Sequence, residues 1–155
     1  LTPPLKYFGQ ARLVWRNSGR IPESIAYVAR RRGHWGPSGR YFNEAERLDP
    51  RNVSLLSQRA ISYIILRRFP EAKRKLDQIL NITPDDVTTL ALKASVAQAE
   101  GDLPGAAAIL APLHPSADDT PAVETQAYQA ILERAPDQMI TRLREILTYP
   151  DPAMG

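Results

Sequence analysis

Hydrophobic residues recur every three or four positions through most of this chain, and short polar stretches interrupt them at regular intervals. Leu76, Ile79 and Leu80 show the spacing within one such segment. Side chains spaced in this way lie on one face of an α-helix, and the strict alternation typical of β-strands is missing from the sequence. The pattern therefore predicts an all-α protein made of short helices.

The polar interruptions repeat with a constant period of thirty-four. The stretch RLDPRNV at 47–53 recurs in altered form as NITPDDV at 81–87, so that Pro50 matches Pro84. Small or apolar residues fall into the same register, as Ala26, Ala60 and Ala94; Ser38, Ala72 and Ala106; Phe42, Leu76 and Leu110; and Ala45, Ile79 and Leu113. A turn lies between these sets, at Gly33, Arg67 and Gly101, with Trp35, Phe69 and Leu103 two positions later and Pro37, Pro70 and Pro104 just beyond the turn. The period predicts a helix, a tight turn and a second helix in every unit.

These residues resemble the tetratricopeptide repeat, a helix–turn–helix unit of the same period. The first repeat matches the family pattern at Ala26, Gly33, Trp35, Phe42, Ala45 and Pro50, with Ala29 where tyrosine is usual. The second repeat matches at Ala60, Tyr63, Phe69, Ala72 and Pro84, with Arg67 in place of the turn glycine. The third repeat matches at Ala94, Gly101, Asp102, Leu103 and Ala106, but Asp118 stands at the proline position and Pro112 shortens the second helix. The resemblance implies an all-α, right-handed superhelix of antiparallel helix pairs, a TPR-like α-solenoid without a cofactor.

The repeat register divides a single domain, residues 1–155, into five parts. Residues 4–16 are expected to be the second helix of a truncated repeat, because Phe8 and Ala11 lie one full period before Phe42 and Ala45. Complete repeats are predicted at 20–50, 53–84 and 87–114, and a degenerate terminal helix pair at 121–148, with Thr120 as its cap and Pro121 at the first helical position. We therefore expect the chain to begin inside a longer array.

The stretch ETQAYQAILE at 124–133 resembles part of the tetratricopeptide arms of larger bacterial regulatory proteins, such as cyclase or kinase fusions. That resemblance implies an arm attached to a catalytic domain outside this chain. It covers only the C-terminal third of the sequence.

Composition changes this interpretation little. Cysteine is absent, which excludes disulfides and thiolate metal sites. The longest strongly apolar run, ISYIIL at 61–66, is far shorter than the roughly 20 residues that span a bilayer, so we expect no membrane segment and a cytoplasmic protein. Residues 1–51 carry ten Lys and Arg against four Asp and Glu, which favours either acidic partners or a solvated basic face.

The sequence predicts no catalytic, cofactor or metal site, and hence no enzyme. The only histidines, His34 and His114, fall in turns of different repeats. The paired acids at 85–86 and 118–119 precede predicted helices, where helix capping explains them. The run Arg30–Arg32 ends a helix, as we expect also for Arg67 and Arg68, so it either complements the helix dipole or forms a basic patch that contacts a partner.

In the tetratricopeptide family the concave face is lined mainly by the first helix of each pair, and such faces bind peptides or helices of other proteins. Transferred by position, the predicted groove residues are Glu23, Tyr27, Arg30, Arg31, Ser54, Ser57, Gln58, Ile61, Ile65, Thr88, Leu92 and Ser95. The family's carboxylate clamp needs lysine and asparagine where Glu23 and Tyr27 stand, so that clamp is not predicted here.

The resulting hypothesis is a protein-interaction scaffold that binds a peptide or helix of a partner protein in its groove, whose basic end suits a partner with an acidic end. One alternative is a regulatory arm of a larger multidomain signalling enzyme that docks intramolecularly. A second alternative, a nucleic-acid-binding helical repeat, is less favoured because the aromatic residues occupy core positions of the repeat. The oligomeric state stays open.

Overall fold

The computed structural model describes residues 19–115 and 119–134, together with positions 137 and 141. Seven helices and no strand occupy these residues: α1 Arg20–Arg31, α2 Trp35–Leu48, α3 Val53–Ile65, α4 Phe69–Leu80, α5 Val87–Glu100, α6 Leu103–Leu110 and α7 Thr120–Leu132. The all-α prediction is confirmed. The helix predicted at 4–16 lies outside the described residues, and so does the second half of 121–148 apart from positions 137 and 141, which are helical. Among the helices described, none is both long enough and apolar enough to cross a membrane.

The second helix of each pair begins at an equivalent residue. Trp35, Phe69 and Leu103 are the first residues of α2, α4 and α6, and each follows the one before by one full period of the repeat. Proline occupies the first turn of α4 and α6, where the missing N–H would have no partner inside the helix. The predicted period is therefore present in the helix boundaries themselves.

The turns within the pairs share one backbone conformation. Gly33, Arg67 and Gly101 have φ angles of 73°, 56° and 83°, in the left-handed region. The next amide then donates back to a carbonyl in the last turn of the preceding helix: His34 to Ala29 at 2.9 Å, Arg68 to Tyr63 at 2.8 Å and Asp102 to Ala97 at 2.9 Å. These are Schellman motifs, which satisfy the last carbonyls of the first helix and reverse the chain. Arg67 is thus a left-handed residue in the position that glycine fills in the other two repeats.

Two compact units divide the chain, with the boundary between Arg59 and Ala60 inside α3. In the first unit, Ala26, Phe42, Ala45 and Leu55 form a buried cluster. The hydroxyl of Ser38 donates to the backbone carbonyl of Ala26 at 2.9 Å, so α2 touches the main chain of α1 at this point.

A buried arginine ties α3 to α2 in the same unit. Nη1 of Arg59 lies 2.7 Å from Oδ1 of Asn43 and 2.8 Å from a carboxylate oxygen of Glu46. A buried guanidinium needs such partners, because an unpaired charge away from water is strongly destabilising.

The second unit has two apolar clusters, built mainly from the predicted repeat positions with Val96 and Ala97 in addition. One contains Ala60, Ala72, Leu76 and Val96, and the other contains Ala94, Ala97, Ala106, Leu110 and Leu113. Ala60, Ala72, Ala94 and Ala106 are completely buried. Paired helices approach to about 8–10 Å only where such small side chains meet.

Buried glutamines attach α7 to the two helices before it. Nε2 of Gln98 on α5 donates to Oε1 of Gln129 at 2.9 Å, and Nε2 of Gln129 donates to the carbonyl of Leu103 at 3.0 Å. Gln126 donates to the carbonyl of Leu113, at the end of the preceding pair, at 3.1 Å. Directional bonds of this kind fix the position of α7 along its neighbours, which apolar contact alone does less well.

The helix α7 also departs from the predicted register. Its start at Thr120, its buried Ala127 and its left-handed Arg134 are equivalent to Val87, Ala94 and Gly101, and each lies one position short of a full period after its equivalent. The spacing between α5 and α7 is therefore one residue shorter than the spacing between α1 and α3 or between α3 and α5. The helix start, the buried alanine and the left-handed residue are all displaced by the same one position. The helix therefore has the same internal pattern as α5, and only its distance from α5 along the sequence differs.

Three local predictions need correction. Thr120 is the first helical residue, and Asp119 occupies the cap position predicted for it. Arg67 and Arg68 lie beyond the end of α3, in the turn and at the cap of α4, and not in the last turn of the first helix. Of the first acid pair, Asp86 caps α5 by accepting from the amide of Thr89 at 2.9 Å, while Asp85 lies exposed in the preceding turn.

Replacing Ala72 with arginine should destabilise the domain. The side chain at this position is fully buried against α3 and α5, so arginine must either overpack the cluster or carry an unpaired charge into it. We expect the free energy of unfolding to fall by more than about 3 kcal/mol, measured by urea denaturation. Ala108→Arg, at an exposed alanine of α6, should stay within about 0.5 kcal/mol of the original. Equal stability of the two variants would contradict the α3–α4 register.

Replacing Gly101 with alanine should cost about 1–2 kcal/mol, because φ is +83° and an added Cβ strains this conformation even though it meets no atom within 4 Å. Gly39→Ala is the matched control. Gly39 lies inside α2 with similar free space and an ordinary helical backbone, so the same change should stabilise by about 0.5–1 kcal/mol. Thermal unfolding of both variants checks the opposite signs, and a shift of the same sign in both would refute the turn geometry.

Candidate partner-binding surface

The predicted groove residues fall in both units. We call those of the first unit the first patch: Glu23, Tyr27, Arg30, Arg31, Ser54, Ser57 and Gln58. Those of the second unit form the second patch: Ile61, Ile65, Thr88, Leu92 and Ser95. All twelve residues lie on α1, α3 and α5, the first helices of their pairs.

Tyr27 and Glu23 are joined on one face of α1. The tyrosine hydroxyl donates to Oε1 of Glu23 at 2.6 Å, and the tyrosine ring meets Phe42 edge to face with centroids 5.6 Å apart. Partial burial, followed by the hydrogen bond to Glu23 and the charge of that carboxylate, raises the pKa of Tyr27 far above its ordinary value. The phenol is therefore a neutral, fixed donor, and its ring is partly covered.

Arg30 lies over this ring and connects α1 to α3. Its guanidinium carbon is 5.5 Å from the Tyr27 ring centroid and 5.9 Å from that of Phe42. Nη2 donates to Oε1 of Gln58 at 2.8 Å, and Nη1 donates to the Gln58 carbonyl at 3.1 Å. Neither interpretation of the arginine run included this role, because it depends on a residue of the next repeat, far away in the sequence.

The structure thus brings four members of the first patch into one cluster, Glu23, Tyr27, Arg30 and Gln58. Arg31 is exposed at the end of α1, Ser54 is exposed at the start of α3, and Ser57 is half-buried. The first patch therefore presents the guanidinium of Arg30, which is held in a fixed position, and the hydroxyl-bearing residues Ser54 and Ser57.

The second patch is more apolar and more varied in exposure. Ile65, the last residue of α3, is 57% exposed, whereas Leu92 packs against the cluster around Ala72 and is largely a core residue. Ile61 is half-buried, Thr88 is exposed, and the Ser95 hydroxyl donates to the carbonyl of Leu92 at 2.8 Å. Ile65 is thus the large apolar side chain that this patch offers to a partner.

A cavity of about 300 Å³ lies between α5 and α7, beside Ser95. Six residues line it: Ser95, Gln98, Ala99, Glu124, Thr125 and Tyr128. The Tyr128 side chain is 52% exposed there. Sequence reasoning missed this part of the surface, because the constant period aligns Tyr128 with the buried Ala94. The observed spacing, one position shorter, aligns it with Ser95 and so with the groove positions.

No metal site emerges among the residues that the structure describes, since no three of their His, Asp and Glu side chains come close enough together to hold an ion. His34 precedes α2 and His114 follows α6, and both are exposed. The two patches and the cavity thus offer hydrogen bonds, the fixed guanidinium of Arg30 and exposed apolar side chains to a partner.

No family model and no curated protein sequence matches this chain. Solved structures do match it. The N-terminal domain of stress-induced protein-1 from C. elegans superposes with a TM-score of 0.50 at 14% identity, over 81% of this chain and 92% of that one. PilF of Pseudomonas aeruginosa superposes with a TM-score of 0.45 at 12% identity, over 94% of this chain and 83% of that one. Together with the helix pairs, turns and small-residue contacts, the first of these likenesses shows that the chain has the tetratricopeptide-repeat fold.

Proposed function

We propose that this chain is a protein-interaction module, which binds a peptide or helix of a partner protein through the surfaces of its first helices and catalyses no reaction. The observation that carries the proposal is the exposure of Ile65 on the second patch. This apolar side chain ends a first helix, where an amphipathic or extended segment of another protein can cover it.

The first patch supports a partner with an acidic end. Arg30 is held in place by Gln58 and the Tyr27 ring, and Arg31 is exposed beside it. A guanidinium that is already fixed loses little entropy when it pairs with a carboxylate. The acidic group is therefore expected to approach α1 near its C-terminal end.

The cavity between α5 and α7 extends the second patch to α7. Tyr128 supplies an exposed aromatic ring, and aromatic residues are among the commonest energetic anchors of interfaces. A bound segment that reaches Ser95 is expected to contact this ring as well, because both residues line the same cavity.

The attached-arm alternative uses the same surfaces, with a ligand supplied by another domain of the same polypeptide. A longer gene product that carries a catalytic domain would favour it. A nucleic-acid partner would instead be lost on nuclease treatment and would bind with an affinity that falls steeply with salt.

Ile65→Asp should weaken partner capture without unfolding the domain. The side chain is mostly exposed, so the charge stays in water in the free protein but must be desolvated in the complex. Ala108→Asp is the control, because Ala108 is exposed on α6 and lies outside both patches and the cavity beside Tyr128. Pull-downs from lysate of the source organism with nuclease added, analysed by mass spectrometry, should retain a protein with the original and the Ala108 variant that the Ile65 variant loses. Circular dichroism should show equal helix content in all three.

Equal capture by all three proteins would contradict the second patch as the binding surface. Lower helix content in the Ile65 variant would instead place that residue in the core.

Tyr128→Ala should lower the affinity for the captured partner by at least about 1 kcal/mol, measured by calorimetry with the purified proteins. Tyr128→Phe separates the ring from its hydroxyl and should keep most of the affinity if the ring is the anchor. If Tyr128→Ala binds the partner with unchanged affinity, the interface does not include Tyr128 and is confined to the predicted groove residues of the two patches.

A further inference from the structure

Two glutamate–tyrosine pairs occupy equivalent places in the fold. Glu23 and Tyr27 lie one turn apart on α1, and Glu124 and Tyr128 lie one turn apart on α7. Along the sequence, Glu124 and Tyr128 follow Glu23 and Tyr27 by the same number of residues as the buried Ala127 follows the buried Ala26. The left-handed Arg134 follows the left-handed Gly33 by that number too. The two pairs therefore have the same position relative to the core and to the turn.

The first pair shows what such an arrangement holds. The guanidinium of Arg30 lies over the Tyr27 ring at 5.5 Å, and Glu23 accepts the tyrosine hydroxyl proton in a hydrogen bond. A cation over an aromatic face is attracted by the negative charge of the π-system, and a nearby carboxylate adds to that attraction. The chain thus fills its first aromatic–carboxylate pair with an arginine of its own.

The second pair lacks this arginine. The residue equivalent to Arg30, at the same offset, is Ile131, which is 50% exposed. Tyr128 is 52% exposed, whereas Tyr27 is half-buried. Within the part of the chain that the structure describes, no guanidinium lies over the Tyr128 ring, and no Lys, Arg or His is among the six residues that line the adjoining cavity.

The ion pairs that the structure records for α5 lie on its side toward α4, and they place no cation on the side toward α7, where the cavity is. Lys93 pairs with Asp77 at 2.6 Å and Lys73 pairs with Glu100 at 2.8 Å, and both pairs join α5 to α4. Glu124 is exposed at the cavity, on the same face of α7 as Tyr128. The cavity is thus electronegative and aromatic, and its volume of about 300 Å³ is at the lower end of the roughly 300–1,000 Å³ typical of small-molecule sites, which suits a single long side chain.

We propose that Glu124 and Tyr128 form a receptor site for an arginine side chain of a partner protein, which takes the place over Tyr128 that Arg30 takes over Tyr27. The inference deepens the proposed function and rests on it in one respect, since the site adjoins the second patch at Ser95. Its chemistry is opposite to that expected of the first patch, which offers cations to an acidic group.

Direct binding of a defined probe tests the site without any knowledge of the partner. The probe is the blocked peptide acetyl-Ala-Ala-Arg-Ala-Ala-amide, titrated into the 15N-labelled full chain at constant ionic strength. We expect saturable shifts of the backbone amides of Ser95, Ala99, Thr125 and Tyr128. The same peptide with citrulline, a neutral isostere of arginine, should produce much smaller shifts at these positions.

Variants of the pair separate the two attractions. Tyr128→Leu should weaken probe binding about two- to fivefold, as expected for one exposed cation–π contact. Glu124→Gln should weaken it by up to about fivefold, as expected for an exposed ion pair. Asp85→Asn removes one negative charge from the exposed turn before α5, outside this cavity, and should leave binding unchanged.

The sharpest variant restores the missing arginine. Ile131→Arg places a guanidinium at the position equivalent to Arg30, where it should cover Tyr128 and compete with the probe, so that the shifts are lost. Ile131→Gln is its neutral control and should keep them. The position is exposed, so neither variant is expected to unfold the domain.

Equal binding of the arginine and citrulline peptides, or full binding by Ile131→Arg, would overturn the proposal. These results are independent of the partner experiment. Loss of capture by Ile65→Asp with no arginine selectivity in the titration would support the interaction module and reject this site, and the reverse outcome would support the site and reject the second patch.

Discussion

The fold depends on the close approach of the two helices in each pair, which is possible only where small side chains meet. Ala60 and Ala72 are completely buried at this contact in the second pair, and so are their equivalents in the third. In the first pair Ser38 donates to the carbonyl of Ala26 at 2.9 Å, which shows directly that a side chain of one helix touches the main chain of the other. Everything else in the repeat is placed relative to this contact. A larger side chain there would displace the turn and the neighbouring helix together.

Because the contact fixes the rotation of each first helix, it also fixes which side chains face outward. Tyr27, Ile61, Ser95 and Tyr128 each follow the buried small residue by one position, and none of them belongs to the buried core. Core and surface are thus set by the same register. The one-residue contraction before α7 therefore moves Ala127 and Tyr128 together, and the surface of α7 keeps its relation to the core.

How much of this could be predicted from the sequence follows from the same distinction. The core and the turns were predictable, because every repeat must solve the same packing problem and so shows the same small and apolar residues at a constant period. The position of Tyr128 in the repeat was not, because the sequence around α7 keeps only a short part of the motif and the contraction hides its register. The role of Arg30 was also missed. It depends on Gln58 of the next helix, and hydrogen bonds between helices leave no periodic signal in a sequence.

The two glutamate–tyrosine pairs show how a repeat protein can vary function while its fold stays constant. At the residue that follows Tyr27 by three positions the chain has an arginine, which covers the ring and ties α1 to α3. At the equivalent residue of α7 it has Ile131, and the ring stays exposed. Neither residue takes part in the small-residue contact, so the position can vary without changing that contact. One repeat position can therefore serve as an internal brace in one unit and as an open recognition site in another, and the choice is made by a single side chain.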